Sequence, residues 1–190
     1  MKIRLVPGVV AAGLAVLLSA CVPEFANPLS GGAPADPAII GSWSAKSETD
    51  DEAMRLDISA VEGGIQMVMR DSSEEGAEEI TFKGTTAEID GVRYANLTPV
   101  GEEVAAGTGY MIFRYAPKGE AIEVWTLDVK AIAAAIDTGK LAGTNSGTGI
   151  DLQSKVSADG AAVAAFLATP EGQAAFRSGP GDVLTMTRVP

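Results

Sequence analysis

Few side chains in this 190-residue chain can do covalent or metal chemistry. There is one cysteine, Cys21, and there is no histidine. That composition excludes Ser-His-Asp and Cys-His catalysis and every zinc site that needs His or Cys. Serine-lysine acyl transfer has no support, because no Ser is followed by Lys three positions on. Carboxylate chemistry remains, with 25 Asp+Glu against 14 Lys+Arg. One acidic run is Asp50-Asp51-Glu52; the other is Glu74, Glu75, Glu78 and Glu79 around Gly76. Hard cations take oxygen ligands, but neither run has the Asp-x-Asp-x-Asp-Gly spacing of a calcium loop. Both read as solvated loops. Paired carboxylates can hydrolyse glycosides, although so many acids make chance pairs abundant. Gly143 to Gly149 has the composition of a phosphate-cradling loop. It lacks the following Lys-Ser/Thr and leads into an expected strand rather than a helix, so it reads as a plain loop. The sequence therefore predicts no catalytic residue, no metal site and no cofactor.

Cys21 has a context that the other candidates lack. The chain opens on basic Lys2 and Arg4, and Leu5 to Leu18 is almost wholly apolar or small. That run is too short for a bilayer core, which needs roughly 20 helical residues. It has the form of a secretory signal peptide. Its end, Leu18-Ser19-Ala20-Cys21, resembles the lipobox of bacterial lipoproteins. The resemblance implies cleavage before Cys21, a diacylglyceryl group on its sulfur and acylation of the new amine. One acyl chain binds a membrane only marginally, whereas two or three hold firmly. In the enteric sorting rule of that family, Val22 after the Cys favours the outer membrane, facing the periplasm.

The net charge of −11 becomes more negative once Lys2 and Arg4 are removed with the leader. Such a surface repels nucleic acid, so no nucleic-acid partner is expected. Having no second cysteine, the exported domain has no internal disulfide.

The elements that must position any site follow from periodicity. Residues 1–20 are the expected signal peptide. Residues 21–38, with Pro23, Pro28, Pro34, Pro37 and Gly31-Gly32, read as a lipidated Cys on a disordered tether. Residues 39–190 are the size of one domain. Ile39 to Ser47 is a first strand. Met54, Leu56, Ile58 and then Ile65, Met67, Met69 alternate with other residues about Gly63-Gly64, a hairpin signal. Ile80 and Phe82 mark a strand, and Asp90-Gly91 turns a second hairpin between Thr85–Ile89 and Val92–Leu97. Tyr110–Tyr115 and Ala121–Leu127 make a third, turned by Pro117-Lys118-Gly119. Asp128 caps a helix that ends at Gly139, Ser157 or Asp159 caps a second, and Thr169-Pro170-Glu171 opens a third. Leu141 to Gly149 is a loop. Ile150, Leu152 and Val156 form a strand, and Val183 to Val189 is the closing one. The fold class predicted is α+β, mainly β. It is an antiparallel hairpin or meander sheet of eight to ten strands, curved or closed into a small barrel, with two or three short helices.

Gly41-Ser42-Trp43 resembles the Gly-x-Trp of lipocalins. In that family the Trp packs at the closed end of the barrel beneath an Arg from near the last strand. The resemblance implies this part for Arg188, through a cation–π contact, and structural roles for Gly41 and Trp43. Trp125, Tyr110, Phe113 and Tyr115 cluster on one hairpin. They read either as core or as an aromatic pocket in which Trp125 and Tyr110 bind a ligand with Arg114 as the polar group.

The expected function is that of a membrane-anchored bacterial envelope lipoprotein, non-enzymatic, whose domain binds an apolar ligand or an envelope protein. The alternatives are a structural or assembly lipoprotein acting through its surface and, behind both, a carboxylate-dependent hydrolase.

Overall fold

The computed structural model describes residues 22–29, 35–46, 53–71, 79–102, 104, 107–177 and 183–189. Cys21 and the leader lie outside them, as do Asp50, Asp51, Glu52, Glu74, Glu75 and Glu78. The meander expected from alternation closes on itself. Eight strands form one antiparallel barrel: β2 (Gly41–Lys46), β3 (Ala53–Val61), β4 (Gly64–Asp71), β5 (Glu79–Ile89), β6 (Val92–Val100), β7 (Met111–Lys118), β8 (Ala121–Thr126) and β11 (Val183–Arg188). β11 closes it by pairing with both β8 and β2. Carried through the strand registers, a row of paired residues returns to β2 displaced by about 12 residues, the shear that goes with a tilted barrel.

Alternation sends one residue in two inward. The inward set includes Trp43, Ala45, Leu56, Ile58, Ile65, Met69, Phe82, Ala95, Leu97, Tyr115, Ile122 and Met186, all buried in one cluster. Asp90 (φ 51°) and Gly91 (φ 79°) make the two-residue turn between β5 and β6, as the Asp-Gly signal requires. Between β7 and β8 the turn is Gly119-Glu120 rather than Pro117-Lys118-Gly119. Pro117 stays in the strand because β7 pairs through to Lys118.

A second layer lies on the outer face of β5–β8. It contains a three-stranded sheet of β1 (Glu24–Phe25), β10 (Gln153–Val156) and β9 (Gly143–Ser146), with helices α1 (Val129–Asp137), α2 (Gly160–Leu167) and α3 (Pro170–Ala174). Asp128 caps α1 by accepting from Lys130 N at 2.9 Å. Asp159, not Ser157, caps α2, accepting from Ala162 N at 2.8 Å. Thr169 caps α3. This layer buries the outward residues Ala87, Tyr94 and Ile112 of the wall together with Ile132, Val163, Leu167 and Phe176. Among the described residues no helix is long and apolar enough to cross a membrane.

The structure revises three expectations. The stretch 21–38 is not simply a tether. Phe25 and Leu29 are 1% and 3% exposed in the outer core. Phe25 exchanges two backbone hydrogen bonds with Tyr110, and Leu29 N donates to Asn96 Oδ1 at 2.9 Å. Prolines mask this in the sequence, because two isolated apolar residues carry no period. The loop expected at Leu141–Gly149 contains β9, whose Gly143–Ser146 pairs with β10. Ile150 is not in a strand; it stands on a 3-10 turn, Gly149–Asp151, and is 87% exposed.

Candidate functional site

The barrel interior has two unlike ends. At one, a 3-10 turn over Pro37–Ile39 crosses below the strands and enters β2. Ile39 O accepts from Trp43 Nε1 at 2.8 Å, which fixes the indole, 1% exposed, across this end. The Arg188 guanidinium carbon lies 4.4 Å from the Trp43 ring centre, and Nη1 donates to Ile40 O at 3.3 Å. Gly41, at φ 139°, leaves the space the guanidinium occupies; a Cβ there would run into Arg188 Nη1. Asp36 completes this floor. One carboxylate oxygen accepts from Ala38 N at 2.9 Å, which caps the turn, and the other accepts from Tyr115 OH at 2.8 Å and faces Arg93 Nη1 at 3.4 Å. Burial, and then the hydrogen bond to Asp36, push the Tyr115 phenol well above its ordinary range.

Away from this floor, several of the described inward residues are only half-buried. Met54, Ile80, Met111 and Leu184, near the strand ends opposite the floor, and Met67, Phe113 and Val124, nearer mid-strand, are half-buried and pack on the interior cluster. With Met69 and Met186, which are buried, every methionine after Met1 belongs to the interior. Thioethers are polarisable and unbranched, and such side chains repack around ligands of different shape. The sequence signal for the interior was present in the alternation of Met67 and Met69.

The predicted aromatic pocket is divided by the strand alternation. Phe113 and Tyr115 face inward. Trp125, Arg114 and Tyr110 belong to the outer layer. The Arg114 guanidinium lies 4.5 Å from the Trp125 ring centre and 5.0 Å from that of Phe176. Gln173 of α3 accepts from Arg114 Nη1 at 3.4 Å and donates to Tyr94 OH at 2.7 Å and Leu167 O at 2.6 Å. Burial raises the Tyr94 phenol and lowers the Arg114 guanidinium relative to their ordinary values. This group clamps α3 to the wall. Phe176 and Gln173 are some 60 residues from Arg114 in the chain, so spacing alone could not reveal them.

Several described carboxylates are held by bases. Asp57 on the outer wall accepts from Ser42 Oγ at 2.5 Å and faces Arg55 and Arg70 at 3.4 and 3.3 Å. The Ser42 hydroxyl first, then Arg55 and Arg70, hold it below the usual carboxylate value. Glu24 pairs with Lys155, Glu123 with Lys118, and Glu171 with Lys140. Among the described residues no three His, Cys, Asp or Glu side chains gather as a metal site. Comparison with protein-family models, with curated proteins and with solved structures found no match.

Proposed function

We propose that this protein is a bacterial envelope lipoprotein, anchored through Cys21, whose barrel takes up an apolar ligand at its methionine-lined end. The observation that carries the reading is the asymmetry of the interior. One end is locked by Trp43, Arg188, Asp36 and Tyr115; the other presents Met54 and Met111 half-buried, with Met67 and Phe113 half-buried between. Pockets have mostly apolar walls, and the interior of an eight-stranded barrel is either filled by side chains or wide enough for one small ligand. The Gly41, Trp43 and Arg188 arrangement supports the likeness to lipocalins, with these residues as structure rather than ligand contacts. The leader and lipobox support export and the anchor, and Val22 supports the outer membrane. Gentle extraction from membranes followed by native mass spectrometry tests both parts. The expected result is a diacylated or triacylated Cys21 and a co-purifying lipid or apolar small molecule, displaced when Met67→Glu is introduced. Loss of membrane association with no acyl mass on Cys21 refutes the anchor. An acylated protein that never carries or binds an apolar probe refutes the ligand, and leaves action through the surface.

A further inference from the structure

We propose that the turn between β9 and β10, with Ile150 at its tip, is the edge of the protein that contacts the lipid surface. This rests on the anchor at Cys21. It goes beyond that reading because an anchor on a flexible tether would leave orientation free.

Two independent features meet at this edge. The first is the direction of the chain. β1 pairs with β10 in parallel, Glu24 opposite Lys155 and Phe25 opposite Val156. Phe25 is also pinned from its other side by Tyr110. Running back from Glu24, the chain therefore moves the way β10 runs back from Lys155, through Gln153 toward the Gly149–Asp151 turn. Cys21 adjoins Val22, and consecutive Cα atoms are about 3.8 Å apart. Only Val22 and Pro23 separate Cys21 from β1, a reach of about 10 Å at full extension. Lipid chains on Cys21 would thus enter the membrane beside this turn.

The second feature is the turn itself. Ile150 is 87% exposed, against 40% for Val61, the other large exposed hydrophobic among the described residues. The turn is folded on itself: Asp151 N donates to Thr148 O at 3.2 Å, and a Cβ on Gly147 (φ 70°) would run into the Asp151 carbonyl. Its conformation holds Ile150 outward on a stretch, Ser146 to Ile150, that carries no charge. The turn carries one exposed acid, Asp151; an acidic domain is repelled by anionic headgroups, so Ile150 and the uncharged stretch before it are the part suited to a neutral lipid surface. The partner is the bilayer interface itself.

The test uses the full lipidated chain in phosphatidylcholine vesicles. With Cys21 acylated, a second cysteine is the only free thiol. An environment-sensitive fluorophore is placed at Ile150→Cys or at Ser59→Cys; Ser59 is exposed on β3, four strands round the barrel from β7. The expected result is blue-shifted emission and quenching by spin-labelled lipid at 150 but not at 59. Ten Gly/Ser residues inserted between Val22 and Pro23 should remove that difference. Equal quenching at both sites, or none at 150 while the protein floats with the vesicles, overturns the orientation and leaves the anchor standing. A protein that does not float overturns both. The exposed position of Ile150 means that labelling there should leave the thermal midpoint unchanged, which separates a lost contact from a lost fold.

Discussion

Gly41 and Arg188 should be energetically coupled, and the size of the coupling follows from the floor of the barrel. Gly41→Ala places a Cβ at φ 139° and drives it into Arg188 Nη1. Backbone strain of this kind costs about 1–3 kcal/mol. Displacing the guanidinium also removes its cation–π contact with Trp43, about 0.5–1 kcal/mol at an exposed site. Its hydrogen bond to Ile40 O adds about 0.5–1.5 kcal/mol. Arg188→Ala alone loses only those two contacts, about 1–2.5 kcal/mol. In an Arg188→Ala background the new methyl meets no guanidinium, so Gly41→Ala then costs the strain alone. The double variant should accordingly be more stable than additivity requires by about 1–2.5 kcal/mol, well above the scatter expected of independent sites. Urea unfolding of the four proteins, followed by circular dichroism, measures this directly. Additivity within about 0.5 kcal/mol would refute the claim that the guanidinium sits in the space left by Gly41. An Arg188→Ala variant as stable as the parent would refute the floor contact altogether.

Other outcomes follow from the same structure. Asp36→Ala uncaps the turn at Pro37–Ile39 and takes the acceptor from Tyr115 OH, so it should cost about 1–3 kcal/mol, and less than half of that once Tyr115→Phe is already present. Phe25→Ala should cost about 3–5 kcal/mol, as a core residue does, whereas a truncated tether residue would change nothing in a melting experiment. The Tyr94 and Tyr115 phenols are raised by burial, so the fold favours their neutral forms; stability is full below about pH 10 and falls as pH rises beyond it. Ultraviolet titration should show two of the three tyrosines ionising only as the protein unfolds. Asp57 is shifted the other way, so its contribution is present above about pH 4 and is lost as pH falls through its lowered value; Asp57→Asn should flatten the acid limb of the stability curve.

Period-two alternation made the barrel strands legible, because inward residues such as Met54, Leu56 and Ile58 must share one face. Closure was left open, since it depends on β11 meeting both β2 and β8 across the chain. The helices were legible from Asp128, Asp159 and Thr169, whose side chains satisfy free backbone N–H groups. β1 and β9 were not legible. Glu24–Phe25 and Gly143–Ser146 have too few apolar residues to show a period, and β1 pairs with β10 far along the chain, whereas β9 pairs with β10 across a short turn whose Gly and polar residues read as loop. Of the site, Gly41, Trp43 and Arg188 could be connected through the lipocalin likeness. Asp36 lay in what read as tether, and its acceptance of the Tyr115 proton spans 79 residues. Trp125, Tyr110 and Arg114 fall in the outer layer and Phe113 and Tyr115 in the interior, a division that successive residues of a strand do not show until one knows which face is the interior.

That last distinction bears on how the interior could work. A site must combine a part that does not move with a part that adapts. The floor is over-determined: Trp43 is held by a hydrogen bond below and a cation above, and Tyr115 by Asp36. Its outer wall is stiffened by Arg114, Gln173 and Tyr94, which tie α3 to β6 and β7. Bulky aromatics and buried hydrogen bonds resist rearrangement because each displaced partner leaves an unpaired polar group. The interior methionines have no polar group of that kind to leave unpaired, and their long unbranched side chains change rotamer at small cost. Ligand entry would therefore repack Met54, Met67 and Met111 while Trp43 stays fixed. Bound apolar probes should then alter methionine methyl resonances strongly and the Trp43 indole resonance little. A probe that shifted Trp43 and left the methionines unchanged would place the site at the wrong end of the barrel.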